Sequence, residues 1–90
     1  MKITFAPSFI KAFQRKKALR PEFEQLFKEK TTLFIRDPFD PVLKTHKLSG
    51  KLKDFWSFSA GYDSRVIFYF TNEKPKQAVF TDIGTHDEVY

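Results

Sequence analysis

The sequence has 90 residues, a formal net charge of +5 at pH 7 and an isoelectric point of about 9.6. A chain of this length has room for one small core, so we expect a single domain over residues 1–90. Twelve phenylalanines can give that core a large apolar area. The absence of cysteine excludes disulfides and fits a reducing cytoplasm. No apolar stretch has signal-peptide or membrane-spanning length, so we expect a cytoplasmic chain with no membrane partner.

The first part of the chain is predicted to form one strand and two helices. Residues 2–6 alternate enough to indicate a short strand, and Pro7 opens a helix. Its apolar positions repeat at helical spacing: Phe9, Ile10 and Phe13. Pro21 breaks this pattern and suits the first turn of a second helix. One mainly apolar stripe follows on that helix, formed by Phe23, Leu26, Phe27, Lys30, Leu33 and Phe34. The two helices are expected to pack as a hairpin.

The second part of the chain is strand-like. The proline-rich stretch 37–41 ends the helical part, and strands are predicted over 51–59, 65–70 and 77–83. Short turns at 60–63 and 72–75 imply that successive strands pair antiparallel. We therefore expect an α+β fold of order β-α-α-β-β-β, with an antiparallel sheet packed against the helical hairpin.

Positive charge is concentrated in two segments. The stretch 44–53 contains no acidic residue but has His46 and four lysines: Lys44, Lys47, Lys51 and Lys53. The other basic segment is formed by Lys11, Arg15, Lys16, Lys17 and Arg20. Such segments favour a polyanionic partner such as nucleic acid, and they are equally compatible with an ordinary solvated face.

The residues capable of acid–base chemistry are few. His46 and His86 are the two histidines, and they border the predicted sheet. Arg65, at the start of the central strand, could be a structural ion-pair partner or a bidentate phosphate clamp. Tyr90 could pack on the sheet or stack on a base. A histidine alone is more often an ordinary core or surface residue than a catalyst.

These residues would suffice for RNA cleavage without a metal. RNA brings its own nucleophile, the 2′-hydroxyl, and the protein must supply a base, an acid and positive charge at the phosphate. The sequence has no cluster of metal-ligand residues, no glycine-rich phosphate loop and no serine or cysteine nucleophile signature. We therefore expect no metal and no small-molecule cofactor.

Three segments resemble those of RelE/YoeB/YafQ toxins of bacterial type II toxin–antitoxin systems. His46–Phe58 is similar to their xxLxGxLxGxWSxR stretch, and Asp63–Tyr69 is similar to their dyRvvY strand. Ile83–Tyr90 is similar to their closing iGtHdevY segment. The segments occur in the family's order, and the β-α-α lead also fits.

The resemblance implies a toxin that cleaves mRNA on the ribosome and is silenced by a cognate antitoxin. By position, His46 implies a general base, Arg65 a contact to the scissile phosphate and His86 a general acid. Tyr90 matches the closing aromatic that stacks on or orients the cut nucleotide. Asp63 matches an acid of the YafQ branch. The lysines of the stretch 44–53 would contact RNA.

Two departures from the family pattern remove positive charge. Asp82 stands where several relatives have a basic residue, and Phe58 stands where YoeB-like members have an arginine. Two rival functions are a gyrase-inhibiting toxin of the ParE branch, which shares the fold, and an inactive RNA-binding module. Retention of both histidines and Arg65 favours the nuclease branch.

Overall fold

The computed structural model describes residues 1–61 and 63–90, so Tyr62, in the predicted turn 60–63, lies outside the described residues. Five strands and three helices form within these ranges. They are β1 (Lys2–Phe5), α1 (Pro7–Leu19), α2 (Phe23–Arg36), β2 (His46–Lys47), β3 (Trp56–Gly61), β4 (Ser64–Phe70), β5 (Gln77–Thr85) and α3 (His86–Val89). Short 3-10 turns occupy Pro41–Leu43 and Gly50–Leu52. Over the described ranges, no helix combines the length and apolarity needed to cross a bilayer.

The strands form one sheet in the order β1-β5-β4-β3-β2. Strands β2 to β5 pair antiparallel with their neighbours, as predicted from the short turns between them. The first strand instead runs parallel to β5, with Lys2 opposite Gln77 and Phe5 opposite Phe80. Parallel strands need a long connection, and both helices lie within the segment that separates β1 from β5. The predicted α+β class is confirmed.

Phenylalanine rings fill the core between the two long helices and one face of the sheet. Phe34 of α2 stacks on Phe58 of β3 with ring centroids 4.9 Å apart. It also meets Phe68 and Phe80 edge to face, at 5.0 and 5.4 Å. All four rings have 0% exposure. Aromatic pairs in these arrangements add to the stabilisation from burial alone.

The two long helices contact each other through phenylalanines, which confirms the predicted hairpin. The ring centroid of Phe27 lies 4.8 Å from that of Phe13 and 5.7 Å from that of Phe9. The prediction that Pro21 lies in the first turn of the second helix is wrong by two residues. Hydrogen bonds of 3.0 Å from the Phe23 amide to the Arg20 carbonyl and 3.3 Å from the Glu24 amide to the Pro21 carbonyl form a turn there, and α2 begins at Phe23.

The third strand begins at Trp56 and not at residue 51, where the sequence pattern placed it. Gly50 has a φ of +65°, and the Leu52 amide donates to the Ser49 carbonyl at 3.3 Å, so the chain turns where it was expected to extend. The same pattern missed the two-residue strand β2 and the helix α3. These elements are too short to have a recognisable periodicity of their own.

The central position of Phe34 leads to a stability prediction. We expect Phe34→Ala to lower the free energy of unfolding by roughly 3–5 kcal/mol, because it removes a buried ring and leaves a cavity. Ile35, the next residue of the same helix, is 45% exposed and provides the control. Ile35→Ala should change the free energy by less than about 1 kcal/mol. Urea denaturation followed by Trp56 fluorescence measures both, and equal losses would contradict the assigned core.

Candidate active site

The sheet face turned away from the two long helices carries the polar residues of interest. Along β4, Arg65 and Ile67 alternate with the core residues Val66 and Phe68, so their side chains lie on that other face. Residues paired across antiparallel strands share a face. We therefore define the open face by Ser57, Ser59, Arg65, Ile67, Asp82 and Gly84.

The short C-terminal helix packs on the open face at Gly84. A Cβ at this position would lie 3.0 Å from the Glu88 carboxylate and 3.2 Å from Val89 Cγ1, so glycine permits the close approach. A capping box stabilises the first turn: the Glu88 amide donates to Thr85 Oγ1 at 3.3 Å, and the Thr85 amide donates to the Glu88 carboxylate at 2.6 Å. Hydrogen bonds from the Thr85 backbone amide and from the Thr85 hydroxyl lower the pKa of Glu88.

Tyr90 joins the end of the chain to the middle of the sheet. Its hydroxyl donates a hydrogen bond to the hydroxyl of Ser57, which has 0% exposure. Its ring meets the His86 ring edge to face, with centroids 4.5 Å apart. Ser57 is paired across β2 and β3 with His46, so the two side chains lie on the same face. Both histidines therefore flank the Tyr90–Ser57 contact.

The ring of His46 is oriented by the backbone. Its Nδ1 lies 3.0 Å from the Lys44 carbonyl oxygen. A carbonyl only accepts, so we infer that Nδ1 carries the hydrogen and that Nε2 of the neutral ring keeps its lone pair. Lys44 has a φ of 53°, in the left-handed region, at the turn that precedes β2. The exposed Nε2 can then accept a proton.

Arg65 offers an uncompensated positive charge. Its guanidinium donates to the Ser64 carbonyl at 3.1 Å. Over residues 1–61 and 63–90, no carboxylate forms a salt bridge with it. A guanidinium has five N–H donors, so the remaining donors can bind an oxyanion. The structural ion pair is thus not formed among the described residues, and the phosphate clamp stays a prediction.

His86 is the first residue of α3 and is highly exposed. Its Nδ1 lies 3.7 Å from a carboxylate oxygen of Asp87. Within the described ranges, no three histidine, aspartate or glutamate side chains are grouped so that they could hold a metal ion.

The lysines predicted to bind RNA are exposed but do not share one surface. Lys51 lines a hollow together with Tyr90, next to Leu48 and Leu52. Lys47 is paired with Trp56 and so lies on the face opposite to His46. Lys44 contributes its carbonyl to the orientation of His46, and Lys53 ends the Gly50–Leu52 turn. Lys51 thus lines a hollow with a predicted catalytic residue, whereas Lys44 contacts one through its backbone carbonyl.

Asp63 lies apart from the open face. It lines a cavity at the start of β4 with Ser64, Lys16 and Arg20, on the side of the sheet that α1 covers. The structure therefore connects Asp63 with the basic segment of α1 and does not bring it to the histidines.

The two departures from the family pattern have different consequences. Phe58 is wholly buried in the core, so no side chain at that position could present a charge to the open face without leaving the core. Its neighbour Ser59 faces the open surface instead. Asp82 does belong to the open face, where its carboxylate accepts a hydrogen bond from the Ile83 amide at 2.8 Å. Phe58 therefore contributes to the core and not to the charge of the open face, whereas Asp82 places a negative charge opposite Ile67.

Sequence reasoning missed the residues that hold the C-terminal helix in place. Thr85 and Glu88 have the T-x-x-E spacing of a capping box, a signal that could have predicted α3. Ser57 carried no such signal, because its contact with Tyr90 joins residues 33 positions apart.

Comparison with solved structures finds the same fold in bacterial toxins. YafQ from E. coli strain BL21(DE3) is 22% identical with a TM-score of 0.78, over 99% of this chain and 97% of that chain. A YafQ chain from the E. coli DinJ–YafQ complex is 21% identical with a TM-score of 0.77, over 99% and 97%. A YoeB/ParE toxin from Agrobacterium tumefaciens is 15% identical with a TM-score of 0.76, over 96% and 99%.

Comparison with curated protein sequences finds no match. The family model that describes YafQ, a bacterial toxin of type II toxin–antitoxin systems, matches residues 1–90. That match spans every segment on which the resemblance was based, together with the helices and the first strand. The chain belongs to the YafQ family of type II toxins.

Proposed function

We propose that this toxin is an endoribonuclease that cuts mRNA on the ribosome with its own side chains and is silenced by a cognate antitoxin. One observation carries the proposal: α3 folds back so that Tyr90 reaches Ser57, on the face that presents Arg65 and is flanked by His46. A base, an acid and a phosphate-binding cation thereby border one surface.

His46 is the proposed general base. Its Nε2 takes the proton of the 2′-hydroxyl as O2′ attacks the neighbouring phosphorus. The hydrogen bond from Nδ1 to the Lys44 carbonyl fixes the tautomer this step needs, and it stabilises the positive charge that the ring then gains.

Arg65 and His86 act on the phosphate and on the leaving group. Arg65 stabilises the extra negative charge as phosphorus becomes pentacoordinate, because its guanidinium has no carboxylate partner in the described chain. His86 donates a proton to O5′ as the P–O5′ bond breaks. The products are a 2′,3′-cyclic phosphate, which can open to a 3′-phosphate, and a 5′-hydroxyl.

The proposed partners follow from the family and from charge. The E. coli relative occurs in a complex with DinJ, which supports a protein antitoxin for this chain as well. With a net charge of +5, the toxin is suited to an antitoxin segment rich in acidic residues. The same positive charge suits the ribosome and its mRNA.

The catalytic roles predict large losses of cleavage. We expect Arg65→Ala and His86→Ala each to lower the cleavage rate by ~100-fold or more, equivalent to about 2.7 kcal/mol of transition-state stabilisation. His46→Ala should be comparable if this residue is the base. The assay is cleavage of a short mRNA on programmed ribosomes, with analysis of the product ends. Full activity of the Arg65→Ala, His86→Ala double variant would contradict the mechanism.

Two controls separate chemistry from other effects. An mRNA with a 2′-methoxy sugar at the cut site should resist cleavage, because the nucleophile is blocked. The variants should still bind the antitoxin, because neither Arg65 nor His86 lies in the core. Toxicity that survives in the double variant, together with inhibition of gyrase supercoiling, would instead favour the gyrase-directed function.

The Tyr90–Ser57 contact predicts coupled effects. Tyr90→Phe keeps the ring but removes the hydroxyl, and Ser57→Ala removes its acceptor. If this hydrogen bond positions the C-terminal helix, each variant should slow cleavage by about 2–10-fold, the equivalent of one net hydrogen bond. The double variant should be no slower than the worse single variant, because both remove the same interaction. Fully multiplicative losses would show that the contact does not position the site.

The lysine segment predicts a salt dependence. If Lys44, Lys47, Lys51 and Lys53 contact phosphates, replacing all four with glutamine should flatten the log–log dependence of RNA affinity on salt, by about 0.7 for each lost contact. Lys51→Gln should account for more of the change than Lys47→Gln, because Lys51 adjoins Tyr90 and Lys47 lies on the opposite face. An unchanged slope in the fourfold variant would refute the role of the segment.

A further inference from the structure

A second basic site lies at the end of the sheet, on the side covered by α1. A cavity of about 130 Å³ opens there between the end of α1 and the first residues of β4. Its lining residues are Lys16, Arg20, Phe23, Asp63, Ser64 and Thr85. Lys16 and Arg20 belong to the basic segment of α1, to which the proposed cleavage reaction assigns no role.

A buried hydroxyl in this cavity has no partner. Ser64 is 1% exposed, and its Oγ is fully buried with no hydrogen bond in the described chain. A buried hydroxyl without a partner is destabilising, so native structures rarely keep one without a reason. Thr85 is paired with Ser64 across β4 and β5, and its hydroxyl is engaged with Glu88 in the capping box. The unpartnered Ser64 hydroxyl thus lines the cavity together with Lys16 and Arg20.

The charges around the cavity favour an anion but are not all positive. Lys16 lies over the Phe23 ring, with Nζ 5.1 Å from the centroid, so the wall of the cavity holds its ammonium group. Asp63 contributes one negative charge. Nearby, Lys16 and Arg15 contribute to the lowering of the pKa of Glu88, a smaller effect than its hydrogen bonds with Thr85.

We propose that this cavity binds a backbone phosphate of the RNA strand at a nucleotide flanking the cut, an inference that rests on the proposed function. Lys16 and Arg20 supply the charge, and the Ser64 hydroxyl donates to a phosphate oxygen. The two basic side chains suit an oxyanion, whereas an apolar group would leave the Ser64 hydroxyl unpaired.

Continuity with the proposed cleavage site favours RNA over other anions. Ser64 and Arg65 are neighbours on β4 whose side chains lie on opposite faces, and the Arg65 guanidinium donates to the Ser64 carbonyl at 3.1 Å. Thr85 directly precedes His86, the proposed acid. A strand whose scissile phosphate meets Arg65 can therefore continue around this end of the sheet to the cavity. An isolated phosphate ion would have no such connection.

The test compares two lysines of the same helix. Lys16 lines the cavity, whereas Lys17 is held by Glu24 with its Nζ 2.8 Å from the carboxylate. The probe is a short, fully 2′-methoxy RNA, which cannot be cut by 2′-attack, and its affinity is measured by fluorescence anisotropy over a range of salt concentrations. Lys16→Gln should lower the log–log slope by about 0.7, and Lys17→Gln should leave it unchanged. Equal slopes for the two variants would overturn the proposal.

Ser64→Ala provides a second, independent measurement. Because the hydroxyl is unpaired in the free protein, its removal should leave the melting temperature unchanged or raise it. The same variant should weaken RNA binding by roughly 2–10-fold, the loss of one hydrogen bond to the phosphate. A lowered melting temperature with unchanged RNA affinity would show that Ser64 is only structural, and it would overturn the proposal.

Two further outcomes separate this inference from its alternatives. Weaker antitoxin binding by Lys16→Gln with unchanged RNA affinity would mean that the cavity belongs to a protein interface, against the proposal. If wild-type protein does not cut RNA but Lys16→Gln alone flattens the salt slope, the nuclease function fails and the phosphate site stands. If cleavage occurs while Lys16→Gln and Lys17→Gln behave alike, the nuclease function stands and the phosphate site fails.

Discussion

The structure depends on a cluster of phenylalanine rings that lies between the two long helices and one face of the sheet. The ring of Phe80 lies within 5.4 to 6.4 Å of six others, from Phe34 of α2 to Phe9 of α1 and Phe5 of β1, so both long helices and four strands meet at one point. In the described parts of the chain, the two long helices cover one face of the five-stranded sheet. The opposite face is therefore covered by a shorter element or is available to a ligand. The nuclease proposal assigns that remaining surface to RNA.

The closing element is α3, and its shortness matters for the chemistry. An isolated helix of four residues is not stable in water, so α3 depends on its capping box, on Gly84 and on Tyr90. Gly84 is paired with Arg65, and Ser57, which Tyr90 contacts, lies on the same face of the sheet. A change that loosens α3 would consequently displace His86 without altering the core. Under the proposed mechanism, stability and cleavage can thus be altered separately, the first at Phe34 and the second at Tyr90.

Periodicity was sufficient to predict the helical hairpin, the three long C-terminal strands and their pairing, because burial imposes a repeat on those segments. It failed at Gly50–Leu52, where Leu52 keeps the apolar alternation of a strand while the backbone turns. It could not find the pairing of Ser57 with Tyr90, since a contact between distant residues leaves no local pattern. Family resemblance supplied the candidate residues, but a motif does not say which face of a strand each position occupies. That information comes from the pairing register, which places Ser59 and not Phe58 beside Arg65.

Two buried serines differ in whether their hydroxyl has a hydrogen-bond partner among the described residues. Ser57 and Ser64 are the buried polar residues of the described chain, on adjacent strands and on opposite faces of the sheet. The hydrogen bond from Tyr90 offsets the cost of burying the Ser57 hydroxyl. The Ser57 hydroxyl thereby holds the end of the chain on the sheet. Among the described residues, Ser64 Oγ has no such partner, although Lys16 lines the same cavity. At the proposed phosphate site, this hydroxyl gains a hydrogen bond when the phosphate binds. The same physical rule that explains the Tyr90 contact therefore favours a ligand at Ser64.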